Sequence, residues 1–529
     1  MDIERQRGAA VSEYPLDVAP APPLNEPPEW LRLNGWMVLI KPLKEIVGAA
    51  VPLIVVFVAG TSTHTWWRWL SLIGVGLLIA RGITHWATAR YRITDEQVEL
   101  RSGLLNRKTR AVPRDRIRTV DITSEWQHRL AGLSALKIGT GRHDKGKDDE
   151  LILDAITKVE AERLRTLLLT KTAAVPVGQS DVDAGAAGPA PTETELVRVD
   201  RRWTWYAPFT LSGIAVVAAA FGALWHFANE LNLRPDDIAI LHDALSLAGT
   251  SSLWLLIPGV AVALLVIATI TSVLGYILSY WNFSVTREQR NGTLHIRHGL
   301  LNTRSVSIEE ARLRGVEVKE TLPLRLVHGG RATAVVSGLR TGRGDERAGG
   351  LLLPAAPLAE AHLVAAKALR EPTDPTTAAL TPHPRAALRR RLTRAVLSVL
   401  VLAAIAWTGS LLDILPFWVT IVFLVLTPFS AWLGYDRYRS LGHTLTHGYL
   451  VTRSGSLVRE TVALRSDGII GWRVHASYFQ RRAGLATLVA TTAAGRGGYH
   501  VTDAGISQAL AFADDVVPDL VAQFLEPAT

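Results

Sequence analysis

The 529-residue sequence contains no cysteine. That one absence excludes disulfide frameworks, thiolate zinc sites, iron–sulfur clusters and cysteine nucleophiles together. Motifs with a mechanism are missing as well: there is no GxxxxGK(S/T) phosphate loop, no HExxH, no GxSxG elbow and no GxGxxG opening a helix. His443 and His447 lie four apart, but no acidic third ligand is evident nearby, so they read as surface histidines and no metal is expected. With no candidate nucleophile or base pair, the chain reads as non-enzymatic, with no catalytic residue and no cofactor. Its basic loops also lack the interleaved aromatic residues that single-stranded nucleic acid would stack on, so nucleic acid is not an expected partner.

What is present is an internal triplication, which has to be read before local structure. The stretch Tyr91 to Leu136 recurs at Trp281 to Gly329 and again at Tyr438 to Leu488. At an offset of 196, Gly103, Leu104, Leu105 and Asn106 fall on Gly299, Leu300, Leu301 and Asn302, and Arg116, Arg118, Val120 and Arg129 fall on Arg312, Arg314, Val316 and Arg325. At an offset of 352, Gly103, Asp115, Ile117, Arg129, Gly132 and Leu136 meet Gly455, Asp467, Ile469, Arg481, Gly484 and Leu488. Each block alternates apolar and polar residues, as in Val98 and Leu100 against Glu99 and Arg101, and closes on an amphipathic stretch. The expected order is therefore strands first and helix last.

Apolar blocks separate these repeats. A hydrophobic content of 48% and a mean hydropathy of +0.19 beside 57 Lys and Arg indicate two solvents, lipid and water. The net charge of +9 is what cytoplasmic flanks of membrane helices produce. The expected organisation is a disordered, proline-rich leader over 1–35, transmembrane hairpins over 36–88, 201–280 and 389–436, repeat modules over 89–171, 281–370 and 437–527, and linkers over 172–200 and 371–388. That gives six spans in three hairpins. Lys41, Lys44, Arg90, Arg92, Arg201, Arg202, Arg287, Arg389, Arg390, Arg391, Arg394, Arg437 and Arg439 flank the spans on the module side. The positive-inside rule then places the N-terminus, all three modules and the C-terminus in the cytoplasm of a multi-pass protein of the cell membrane.

Three groups of residues stand out as candidates. Gly103, Gly299 and Gly455 end equivalent strands, where a turn with positive φ is expected. Arg81 lies inside the second expected span, with Glu45 near the same end of the neighbouring one, which reads as an intramembrane ion pair. Lys137, Arg142, Lys145 and Lys147, with Arg340 and Arg343 in the second module, form basic loops suited to headgroup or partner contact. Asp144, Asp148, Asp149 and Glu150 interleave the first loop and cancel most of its attraction for lipid.

Tyr91-Arg92-Ile93-Thr94, Arg101-Ser102-Gly103-Leu104-Leu105, Val112-Pro113, Arg116-Ile117 and Arg129-Leu130-Ala131-Gly132-Leu133 resemble the bacterial pleckstrin-homology (PH) domain of membrane proteins. Three copies, each after a hydrophobic hairpin, resemble the YdbT-type membrane proteins over nearly the whole chain. The second copy departs with His328-Gly329 where the motif has Gly-Leu, and the third has Arg482 in place of leucine. The resemblance implies PH-like modules, each a β-sandwich or partly open barrel capped by a C-terminal helix. The expected function is a non-enzymatic membrane protein whose cytoplasmic modules bind a protein partner, lipid headgroups or each other, in cell-envelope maintenance. The alternative is a transporter or export accessory using the six spans, which their few ionisable residues disfavour.

Overall fold

A computed structural model describes residues 30–36, 83–84, 86–94, 96–103, 107–117, 119–139, 150–169, 193–210, 222, 253–289, 292–338 and 350–518. The first module holds β1 (Leu31–Arg32), β2 (Arg90–Ile93), β3 (Gln97–Ser102), β4 (Lys108–Pro113), β5 (Thr119–Ser124), a short helix α1 (Trp126–Leu130), β6 (Leu133–Gly139), β7 (Glu150–Thr157) and α2 (Lys158–Leu169). The second follows with β8 (Glu193–Arg198), a 3₁₀ helix over Arg201–Thr210 and the long helix α3 (Leu253–Tyr280). It continues as β9 (Ser284–Glu288), β10 (Thr293–His298), β11 (Thr303–Glu309), β12 (Leu313–Thr321), α4 (Leu322–Leu326), β13 (Gly329–Val336), β14 (Leu351–Pro357) and α5 (Leu358–Leu369). Two long helices, α6 (Arg385–Leu411) and α7 (Trp418–Arg439), precede the third. That module comprises β15 (Gly442–Thr446), β16 (Tyr449–Ser454), β17 (Val458–Arg465), β18 (Ile469–His475), α8 (Tyr478–Arg482), β19 (Leu485–Thr492), β20 (Gly498–Gly505) and α9 (Ile506–Val516).

Period-two patterning makes the strands, and glycine sets their turns. Leu294 and Ile296 of β10 and Val306 and Ile308 of β11 recur at a spacing of two and are buried in the second module's core, while Arg297, on the other face of β10, is exposed. Gly103, Gly299 and Gly455 hold φ of 108°, 108° and 104°. An added Cβ at Gly299 would meet the carbonyl of Asn302, and one at Gly455 that of Val458, so these turns admit no side chain. The closing helices lie over the cores: Ala361, Val364, Ala365 and Ala368 of α5 and Ala509, Phe512, Ala513 and Val516 of α9 are buried.

The modules are not independent sandwiches. Among the described residues four sheets run in the orders β1-β2-β3-β4, β7-β6-β5-β11-β10-β9-β8, β14-β13-β12-β17-β16-β15 and β18-β19-β20. The second half of module one is therefore continuous with the first half of module two, and the second half of module two with the first half of module three. Their cores merge as well: Tyr449, Val451 and Ala463 of the third module belong to the second module's core, and Val335 of the second belongs to the third's.

The six-span expectation requires correction. Among the described residues three helices, not six, are long and apolar enough to cross a membrane: Val262–Tyr280 within α3, and α6 and α7 entire. The expected spans over 43–61 and 66–87 fall almost wholly outside the described residues. Of the span expected to start at Trp203, residues 201–210 instead form the 3₁₀ helix, which buries Trp203 and Ala207 in the second module's core. Its Pro208 and aromatic residues favour packing onto a β face over a regular apolar helix. Likewise β8 lies at the end of the segment read as a linker and pairs with β9. α6 and α7 form an antiparallel hairpin around an exposed turn at 412–417.

Candidate functional site

The seams between modules carry the clearest repeated chemistry. In the first seam β5 pairs with β11, Ser124 opposite Thr303 through Val120 opposite Ser307. In the second β12 pairs with β17, Gly315 opposite Leu464 through Thr321 opposite Val458, with Val316 opposite Ala463. The repeat offset carries Val120 onto Val316 and Ser307 onto Ala463, so both seams have one register. Pairing buries equivalent side chains: Val120 and Ile122 in the first, Val316 and Val318 in the second. Each such side chain contributes about 1.5–3 kcal/mol when fully covered.

An arginine from the short helix locks each seam. The Arg129 guanidinium of α1 donates to the Leu300 carbonyl in the β10–β11 turn. Arg325 of α4, its equivalent, donates at 3.2 Å to the Ser456 carbonyl in the β16–β17 turn and pairs bidentately with Asp436, at 2.9 and 2.8 Å. The hydrogen bond to Asp436 holds the Arg325 pKa above its ordinary value against the effect of burial. Because Asp436 ends α7, the same pair ties the second and third modules to a membrane helix.

Charge also crosses the strands. Arg304 reaches Asp121 at 2.8 Å across the first seam. In the second, Glu317 and Glu460 are bridged by Arg496 and by Lys319, whose Nζ lies 3.8 and 3.7 Å from them. Burial disfavours the Arg496 charge, but Glu317 and Glu460 outweigh it and raise its pKa.

A cleft of about 350 Å³ opens beside the first seam, where α3 leaves the apolar zone, lined by Lys137, Tyr280, His298, Leu301 and Arg304 among others. His298 donates from Nδ1 to the Ser279 carbonyl at 2.9 Å; burial, with Arg304 adding to it, lowers its pKa, so the ring is neutral. Lys137 is the one expected contact residue that falls within the described residues, and it is half-buried in this cleft. Arg142, Lys145, Lys147, Arg340 and Arg343, and the pair Glu45 and Arg81, lie outside them.

The two histidines four apart do not come together. His447 occupies an exposed turn at φ 47°, whereas His443 is buried, and its Nδ1 donates to His383 Nε2 at 3.0 Å. His383 in turn donates from Nδ1 to the Asp503 carbonyl at 3.1 Å. Burial, then the neighbouring His383, depress the His443 pKa to about 4. Among the described residues no three His, Cys, Asp or Glu side chains are grouped to hold a metal ion.

A second fastening was invisible in the sequence. The β7, β14 and β20 positions Ala155, Ala355 and Asp503 each offer a backbone carbonyl to a preceding segment, accepting from Asn34 N, Tyr276 Oη and His383 Nδ1 respectively. The fully buried Asp503 carboxylate also accepts from Arg390 at 2.5 Å, Arg391 at 3.0 Å and Gln480 at 2.8 Å, binding the start of α6 to the third module. A run of basic residues before an apolar helix signalled only topology; the acid that neutralises it comes from over a hundred residues away.

Comparison with known proteins agrees with this architecture. The bacterial PH domain profile matches three times, over residues 44–172, 242–366 and 395–517. The UPF0699 transmembrane protein YdbT of Bacillus subtilis (strain 168) is 26% identical over 474 residues, 86% of this chain and 90% of the relative. No solved structure matches the chain significantly.

Proposed function

The chain belongs to the bacterial PH domain family, with three copies in one transmembrane protein, and from that premise we propose that it is a non-enzymatic scaffold. Its modules form one rigid cytoplasmic platform that binds a protein partner. The observation that carries this reading is the continuity of the sheets. Strands that hydrogen-bond to one another cannot lie on opposite sides of a bilayer, so β5–β11 and β12–β17 hold all three modules on one face. Arg385, Arg389, Arg390, Arg391, Arg394, Arg437 and Arg439 crowd the module ends of α6 and α7, whereas the opposite turn at 412–417 carries only Asp413. The positive-inside rule makes the module face cytoplasmic.

Rigidity favours a protein over a lipid as the bound species. Membrane helices already hold the modules at the bilayer, so headgroup affinity is not needed for localisation. In the cleft beside α3, moreover, Arg304 is engaged by Asp121. The absence of cysteine provides a direct test of orientation. Ile414→Cys, 71% exposed at the tip of the α6–α7 turn, should react with a membrane-impermeant maleimide on intact cells. Arg482→Cys, exposed on α8, should react only after permeabilisation. Labelling of Arg482→Cys on intact cells would overturn the cytoplasmic platform.

A further inference from the structure

The two internal seams use one docking device, and the third module retains it with no described strand docked on it. β18 is equivalent to β5 and β12, and among the described residues it is hydrogen-bonded only to β19. Val474, equivalent to the buried Ile122 and Val318, is 48% exposed, and Ile470 near the start of the same strand is 67% exposed. Arg481 of α8 is equivalent to Arg129 and Arg325, the seam-locking arginines. It is exposed, and its side chain has no hydrogen-bond or ionic partner among the described residues. An unpaired strand edge beside an unengaged anchoring arginine is an incomplete seam.

The charges identify what completes it. The shared register puts Arg473 where Asp121 and Glu317 stand. The acid-accepting position on an incoming strand is then the one held by Arg304 in β11 and Glu460 in β17. A second copy of this chain would present β4, an edge strand among the described residues, bringing Lys108 to that position and Arg110 directly opposite Arg473. Like charges across a strand pair are destabilising, so the basic ends of this array repel one another. We infer that the β18 edge and Arg481 dock the outer strand and turn of a PH-like module on a different polypeptide, one carrying an acidic side chain at the position equivalent to Glu460. This rests on the protein-binding platform proposed above and supplies its contact surface.

The chain's own β16–β17 hairpin provides the probe. A head-to-tail cyclised, fluorescent peptide of Tyr449–Arg465 carries Glu460 in the required register, and its E460K form carries the charge of a second copy. Against the purified full chain in detergent, the Glu460 peptide should bind about tenfold tighter than E460K, the sum of reversed cross-strand contacts to Arg473 and His475. Arg473→Glu, an exposed change whose folding is checked by its melting curve, should invert that order. Arg481→Ala should weaken both peptides. Equal affinities, no binding, or an order unaffected by Arg473→Glu would each overturn the proposal. So would self-association of the full chain that Thr109→Pro in β4 abolishes, because a second copy would then be the occupant. Orientation is read by cysteine labelling and edge binding by the peptide, so either reading fails separately from the other.

Discussion

At the residue scale, buried ion pairs and histidines decide how firmly the third module is held. Arg325 and Asp436 are both largely buried, so Arg325→Ala removes the bidentate partner of a carboxylate at the end of α7 and leaves it only the Ser456 hydroxyl and the more distant Arg459, at 3.8 Å. Loss of one partner of such a pair costs about 3 kcal/mol, and urea unfolding in detergent should show that loss, with Arg325→Lys recovering only part because it cannot pair bidentately. His443 sets a pH dependence of definite sign. Its folded pKa, about 4, lies below the unfolded value near 6.5, so the unfolded chain binds the proton more readily. Stability is fully present above about pH 6.5 and falls as pH drops through this window towards 4. Melting temperature measured from pH 7 to 4 should decline, and His443→Gln should flatten the decline.

At the scale of elements, one strand type occurs in two environments. Among the described residues β5 and β12 are covered on both edges, whereas β18 is paired on one only. Hydrogen exchange should therefore show protected amides throughout β5 and β12 and rapid exchange at the outward amides of β18. The turns before β11 and β17 give a further test: Gly455→Val forces a Cβ into the Val458 carbonyl and a β-branched residue into φ 104°, so β16 and β17 should lose protection together. Since β17 also covers β12, the defect should spread into the second module.

For the whole molecule, seams that share a core make the modules interdependent. Tyr449, Val451 and Ala463 complete the second module's interior, and β17 covers Val316 and Val318. A chain ending at residue 372 exposes those positions, and its second module should melt well below the same module in the full chain. An unchanged melting temperature would show that the seams are adhesive contacts between self-sufficient domains. Three spans among the described residues, rather than six, do not alter this interdependence, because it lies in strand pairing across the seams and not in a span count.

The sequence by itself determined the threefold repeat, the strand-then-helix order, the glycine turns and the apolar helices α3, α6 and α7, since each depends on spacing within a short window or on self-similarity at a fixed offset. It also marked Arg129, Arg325 and Arg481 as equivalent, without saying what they reach. Tertiary structure alone decided that sheets continue from one module into the next, that Trp203 packs into a β core and not into lipid, and that Asp503 neutralises Arg390 and Arg391. The physical reason is that an alternating strand presents the same side-chain pattern whichever neighbour pairs with its edge. Backbone hydrogen-bonding groups carry no residue identity, so the choice of partner appears only when the third dimension brings β11 to β5, β17 to β12 and, along the outer edge of β18, no described strand.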